Sequence, residues 1–174
     1  MNALELLAPQ QRNSASPPDC PYAPLIGSWN VRSCWYSKEG LMREAEGEWH
    51  FSWILGGWGI QDVLFERGST ADRRGTSIRC YDETTCAWRV AWMAPHSREF
   101  VVLAGRLVGE QIVQEGHALD GSSRQRWTIS NITANGFLWQ GETSLDGGMT
   151  WRLEQEMWAT RQPTSFSGPG VMST

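Results

Sequence analysis

From Glu44 to Trp53 the chain alternates without a break. Ala45, Gly47, Trp49, Phe51 and Trp53 share one parity, and Glu44, Glu46, Glu48, His50 and Ser52 share the other. Successive side chains of a strand point to opposite faces, so this run is a strand with one buried and one wet face. The first set must point inward.

Similar runs of β-branched and aromatic residues fill the middle of the chain, each bounded by Gly, Asp, Asn or Ser. They predict strands at 25–36, 43–54, 59–67, 76–82, 86–93, 98–107, 110–118, 124–132, 137–145 and 150–160. Between them lie SKEG, ERGSTADRRG, DETT, APHS, VGE, LDGSS, TANG and LDGG, rich in residues that accept the positive φ of tight hairpins. Helical periodicity is nearly absent. Sequential hairpins without crossover helices form a meander, and a long meander curls and closes to remove its edges. The expected fold is therefore all-β, an up-and-down antiparallel barrel of 8–10 strands with room for a ligand. A packed sandwich is the competing architecture.

IGSWNV at Ile26–Val31, a turn at Tyr81–Glu83 and the Asp-Gly hairpin at Asp146–Gly148 in GETSLDGGMTWRLEQEMW occur in that order within residues 25–161. In this the chain resembles the calycin superfamily, the lipocalin-like barrels, and within it small bacterial calycin-like domains of unknown function. The resemblance implies that Trp29 lies across one barrel end as a structural plug.

The prolines at 9, 17, 18, 21 and 24 and the Ser-Gly-Pro-rich end suggest a tail over 1–22, with one helical turn at ALELL, a barrel domain over 23–161 and a second tail over 162–174. Lys plus Arg number 15 against 19 Asp plus Glu, a net charge of -4, and Lys38 is the only lysine. Scattered arginines on an acidic chain argue against a nucleic-acid partner. Neither a secretory leader pattern nor a long apolar run is visible, so a cytoplasmic protein without a membrane partner is expected. The four cysteines lack the spacing of a zinc site or of a disulfide framework, and no metal is expected. A homodimer is left open.

Eleven tryptophans are several times the usual content for 174 residues. Parity places Trp29, Trp35, Trp49, Trp53, Trp88, Trp92, Trp127, Trp139 and Trp151 on plausible inner faces. Any one of them could simply fill the core. Together they leave slots, and each indole N–H requires a partner, which suits a lumen. The expected ligand-binding residues are Trp35, Trp49, Phe51, Trp53, Trp88, Trp92, Trp127, Trp139 and Gln155, with the Trp49–Trp58 cluster facing the lumen and LGGW turning near one mouth.

No nucleophile elbow, phosphate loop, dinucleotide fingerprint or zinc-protease helix occurs, and no cofactor is expected. Catalysis would fall to lumenal acid-base groups. Glu115 and His117, two apart, share a face on which a carboxylate could raise the imidazole pKa; the alternative is a plain exposed pair on the outer wall. Asp62 sits among apolar neighbours that would raise its own pKa if it faced inward, but Gln61, Val63 and Phe65 form an equally good inner face. Haem, which some calycin-like barrels hold through one histidine, would draw on His50 or His96, and no motif selects either.

Three functions follow. The first is a barrel that binds an apolar or aromatic metabolite. The second is a cofactor-independent cyclase, isomerase or hydro-lyase that holds a reactive intermediate against indole faces; the calycin resemblance favours such work. The third, a protein-binding module, calls for an apolar outer patch, which the outward parities do not suggest.

Overall fold

A computed structural model describes residues 20–68 and 72–163 of the 174. Most of both expected tails, with the ALELL turn, lies outside the described residues. Ten strands run in chain order: β1 Gly27–Ser37, β2 Gly40–Ile54, β3 Gly59–Glu66, β4 Arg73–Asp82, β5 Ala87–Ala94, β6 Glu99–Val108, β7 Gln111–Ala118, β8 Arg124–Ser130, β9 Gly136–Ser144 and β10 Arg152–Arg161. Each matches an expected strand to within three residues at either end. Every strand pairs antiparallel with its sequence neighbours, and β1 pairs with both β2 and β10, so the sheet closes on itself. It is an up-and-down barrel and not a sandwich. Closure satisfies every sheet edge, and ten strands enclose more volume than the eight that side chains can fill.

The turns are built as their residues require. In the β9–β10 hairpin, Asp146 accepts hydrogen bonds from the Thr150 N–H at 2.9 Å, the Thr150 hydroxyl at 2.6 Å and the Ser144 hydroxyl at 2.8 Å. These bonds hold its carboxyl well below the usual carboxylate range. Gly147 and Gly148 adopt φ of 77° and 99° there, where a β-carbon would be strained.

One end of the barrel is shut from within. The segment before β1 makes a single 3-10 turn at Ala23–Leu25 and inserts Tyr22 and Leu25, both wholly buried, among Trp88, Ile60, Ile112, Ile129 and Phe137. Trp29 lies under it and donates its indole N–H to the Leu25 carbonyl at 2.7 Å. The Arg161 guanidinium covers the Trp29 ring at 3.9 Å from its centroid and donates to the Ile26 and Pro24 carbonyls at 3.1 and 2.9 Å. One arginine thus ties the end of β10 to the plug.

The outer wall departs from expectation. Val63, Ile78, Met93, Phe100 and Val102 on β3–β6 are 43–48% exposed and form an apolar outer face. Residues 59–67 therefore carry apolar groups on both parities, which is why parity left their orientation open. No helix among the described residues is long and apolar enough to cross a membrane.

Candidate ligand site

Above the plugged end the barrel encloses a cavity of about 630 Å³ whose mouth is lined by Arg73 at the start of β4 and by the β5–β6 and β7–β8 turns. Trp49, Trp139, Trp127 and Trp92 line it as a continuous arc. Successive ring centroids stand 6.4, 5.6 and 6.1 Å apart with interplanar angles of 79°, 61° and 86°. Edge-to-face contact fixes each ring by its neighbour's edge without stacking the faces away.

Two of these indoles rest on glycines. A β-carbon on Gly75 would overlap the Trp92 ring, and one on Gly141 would overlap that of Trp139. Trp92 on β5 reaches Trp127 on β8 across β6 and β7, whose inward positions nearby include Gly116 and Ala118. Gly75 on β4 makes space for an indole of β5, and Gly141 for one of its own strand, β9. Trp92 is further fixed by donating its N–H to Glu99 at 3.1 Å.

One wall is polar. Glu66, 2% exposed, accepts hydrogen bonds from the Ser33 hydroxyl and from the Gln155 amide, the latter at 3.0 Å. Its second oxygen lies 3.7 Å from the Arg43 guanidinium, an ion-pair distance too long for a hydrogen bond. The Arg43 and Arg73 guanidiniums sit 4.8 and 4.6 Å from the centroid of the Trp35 ring, and of the two Arg73 lines the cavity. Burial and the neighbouring Arg73 both lower the Arg43 pKa, partly countered by Glu66.

Deeper, Asp62 and Arg79 form a buried ion pair, each 1% exposed. The Ser77 N–H also donates to Asp62 at 3.3 Å, and the Arg79 guanidinium lies over the Tyr22 and Phe51 rings at 5.1 and 5.5 Å. Asp62 does face inward, on the parity of Ile60, Leu64 and Glu66, but its surroundings are not apolar as expected: a guanidinium supplies the counter-charge.

Of the expected ligand-binding residues, Trp35, Trp49, Trp92, Trp127, Trp139 and Gln155 line the cavity. Phe51, Trp53 and Trp88 instead pack into the plugged end, Trp88 edge-on to Tyr22 at 5.4 Å. LGGW turns beside that closed end, and Trp58 is 50% exposed outside the barrel, so the Trp49–Trp58 cluster divides among cavity, core and surface. Trp151 lies under Arg126, 4.2 Å from its guanidinium, and is absent from the cavity wall. For Glu115 and His117 the structure takes the outward of the two parities the sequence left open. The inward residues of β7 are Ile112, Gln114, Gly116 and Ala118, so Glu115 points outward to Arg124 at 3.5 Å and His117 is exposed. His50 is also on the outer wall, beside Glu48 and Ser28, whereas His96 lies at the mouth.

Sequence reasoning passed over Ser33, Glu66, Ser77 and Arg79. For Arg79 a signal was available, because either parity of β4 places a charge inside; for Glu66 it was not, because Gly59, Gln61, Val63 and Phe65 make an uncharged alternative inner face of β3. Among the described residues no His, Cys, Asp and Glu side chains converge in a group able to hold a metal ion.

No protein-family model matches the chain, and no curated protein matches it in sequence. Solved structures do match in shape. The S-type phycobiliprotein lyase CPES from Guillardia theta superimposes with a TM-score of 0.60 at 7% identity, over 82% of this chain and 91% of that one. Rv2717c from M. tuberculosis superimposes with a TM-score of 0.53 at 16% identity, over 81% of this chain and 94% of that one. Identities this low speak to fold alone, and the fold they share with this chain is a calycin-like ten-stranded barrel.

Proposed function

We propose that the barrel binds an apolar or aromatic small molecule in its open half, against Trp49, Trp92, Trp127 and Trp139. The observation that carries this reading is the arc of four indoles around a cavity of about 630 Å³, a volume in the range of organic-ligand sites. Core packing would have closed the space, as it does at the plugged end. That a phycobiliprotein lyase uses the same barrel is in keeping with the reading.

A second reading, a cofactor-independent cyclase, isomerase or hydro-lyase, draws on Glu66. This buried carboxylate lines the cavity and takes the place that Asp62, Glu115 and His117 were expected to fill. Asp62 remains a candidate only by way of its partner Arg79. The homodimer left open by the sequence would use the apolar face of β3–β6, where sedimentation of Val102→Glu against the native chain is the check.

Native mass spectrometry of protein purified gently from its own host separates the two readings. A retained molecule that quenches the indoles and leaves unchanged fits binding. One that leaves rearranged or dehydrated makes the protein an enzyme. Protein that arrives empty, and whose tryptophan emission no aromatic compound alters, removes both.

A further inference from the structure

The polar groups left unmatched on the cavity wall are all of one kind. The carboxylates that face the cavity each have a partner: Glu66 has Ser33 and Gln155, Glu99 has the Trp92 N–H, Glu154 has Arg152 at 2.5 Å, and Asp120 has the Ser122 N–H at 2.9 Å. The donors do not. Among the described residues, the indole N–H groups of Trp35 and Trp49 and the Nε–H of Arg79 are buried on this wall without an acceptor. Arg73 and Arg98 line the mouth with no carboxylate in ion-pair range among the described residues.

The charge at the rim points the same way. Arg43 and Arg73 both lie against the Trp35 ring, so their centres are under 10 Å apart. The carboxylate in ion-pair range of Arg43, Glu66, is already hydrogen-bonded through its other oxygen. Two cations sharing one aromatic ring and one distant carboxylate repel each other, and a bound oxyanion would relieve that.

Building on the binding reading, we infer that the ligand is an anion: a flat conjugated body over the tryptophan arc, carrying a carboxylate or comparable oxyanion held at the rim by Arg73, with Arg43 adding positive charge from beside the Trp35 ring. The unmatched donors deeper in the cavity suit further acceptor oxygens or nitrogens on the same body.

Two dyes with one ring system isolate the charge. N-phenylnaphthylamine is neutral, and anilinonaphthalene sulfonate is the same body with one added sulfonate. Binding is followed by energy transfer from the indoles at low salt. Expected is a preference for the sulfonate of about tenfold or more, the scale of one charge-assisted contact pair. Arg73→Gln, whose side chain is partly exposed at the mouth, should erase most of that preference and leave the neutral dye's affinity unchanged, while Arg73→Lys keeps part of it. Equal affinity for the two dyes, or a preference untouched by Arg73→Gln and by Arg43→Gln, overturns the inference while binding itself stands. Failure of both dyes removes the binding reading and the inference with it.

Discussion

Gly75 of β4 lies directly under the indole of Trp92, close enough that a β-carbon there would overlap the ring. The glycine is what lets Trp92 lie along the wall and meet Trp127 at 6.1 Å. Gly75→Ala should drive the ring into the cavity. The expected result is a loss of dye binding of tenfold or more, with overpacking costing only about 1–3 kcal/mol of stability. A titration with N-phenylnaphthylamine alongside a urea melt checks both, and unchanged affinity would show that Trp92 has another seat.

The two tryptophan populations should differ in what their loss costs. Trp29 is wholly buried under Arg161, and Trp29→Ala should lose about 3–5 kcal/mol of unfolding free energy. Trp127 borders existing empty space, so Trp127→Ala should cost markedly less while weakening ligand binding. Denaturant unfolding of both variants gives the comparison.

The Asp62–Arg79 pair makes a test of buried charge. Asp62→Ala strands a guanidinium that is 1% exposed, and the expected cost is about 3–5 kcal/mol. Asp62→Leu combined with Arg79→Met should recover most of it, since no charge is then left without a partner. A double variant as unstable as the single one would mean that the pair holds the plug through Tyr22 and Phe51 more than through charge.

All three tyrosines should resist ionisation in the folded chain. The hydrogen bond from Tyr36 to Glu156, at 2.8 Å, leads the causes that push its phenol up to about 12; burial raises Tyr22 and Tyr81, Tyr22 the more strongly. A folded pKa above the unfolded value of about 10 means stability that is fully present below pH 10 and is lost as pH rises through 12 for Tyr36. Ultraviolet titration of the native chain should show little tyrosinate at pH 10, where denatured chain is half ionised. Tyr36→Phe should remove the step near pH 12. A native curve centred at 10 would contradict these environments.

The strand from Glu44 to Trp53 was legible because one of its parities is polar throughout, and closure followed from sequential runs joined by turns. Parity failed where the outer wall is itself apolar: Val63 and Phe65 face out on β3, so the pattern alone does not place Asp62 and Glu66 inside. It gave no lead at β7, where inward Gly116 and Ala118 lack the bulk that marks an inner face; a β-carbon on Gly116 would run into the Val102 carbonyl of β6. Parity also says nothing of depth. Trp53 and Trp88 point inward like Trp127, but Tyr22 and Leu25 enter one end and convert that half of the lumen into core. Such filling depends on a segment distant in sequence from the strands it meets, and no local pattern records it.

The most direct measurement is the affinity of N-phenylnaphthylamine for the native chain, for Trp127→Ala and for Trp88→Ala, followed by quenching of the indoles. If the open half of the barrel is the binding site, one equivalent binds, Trp127→Ala weakens it about tenfold or more, and Trp88→Ala leaves it unchanged. Binding that survives Trp127→Ala and is lost in a still-folded Trp88→Ala would put the ligand elsewhere and contradict the assignment of the cavity.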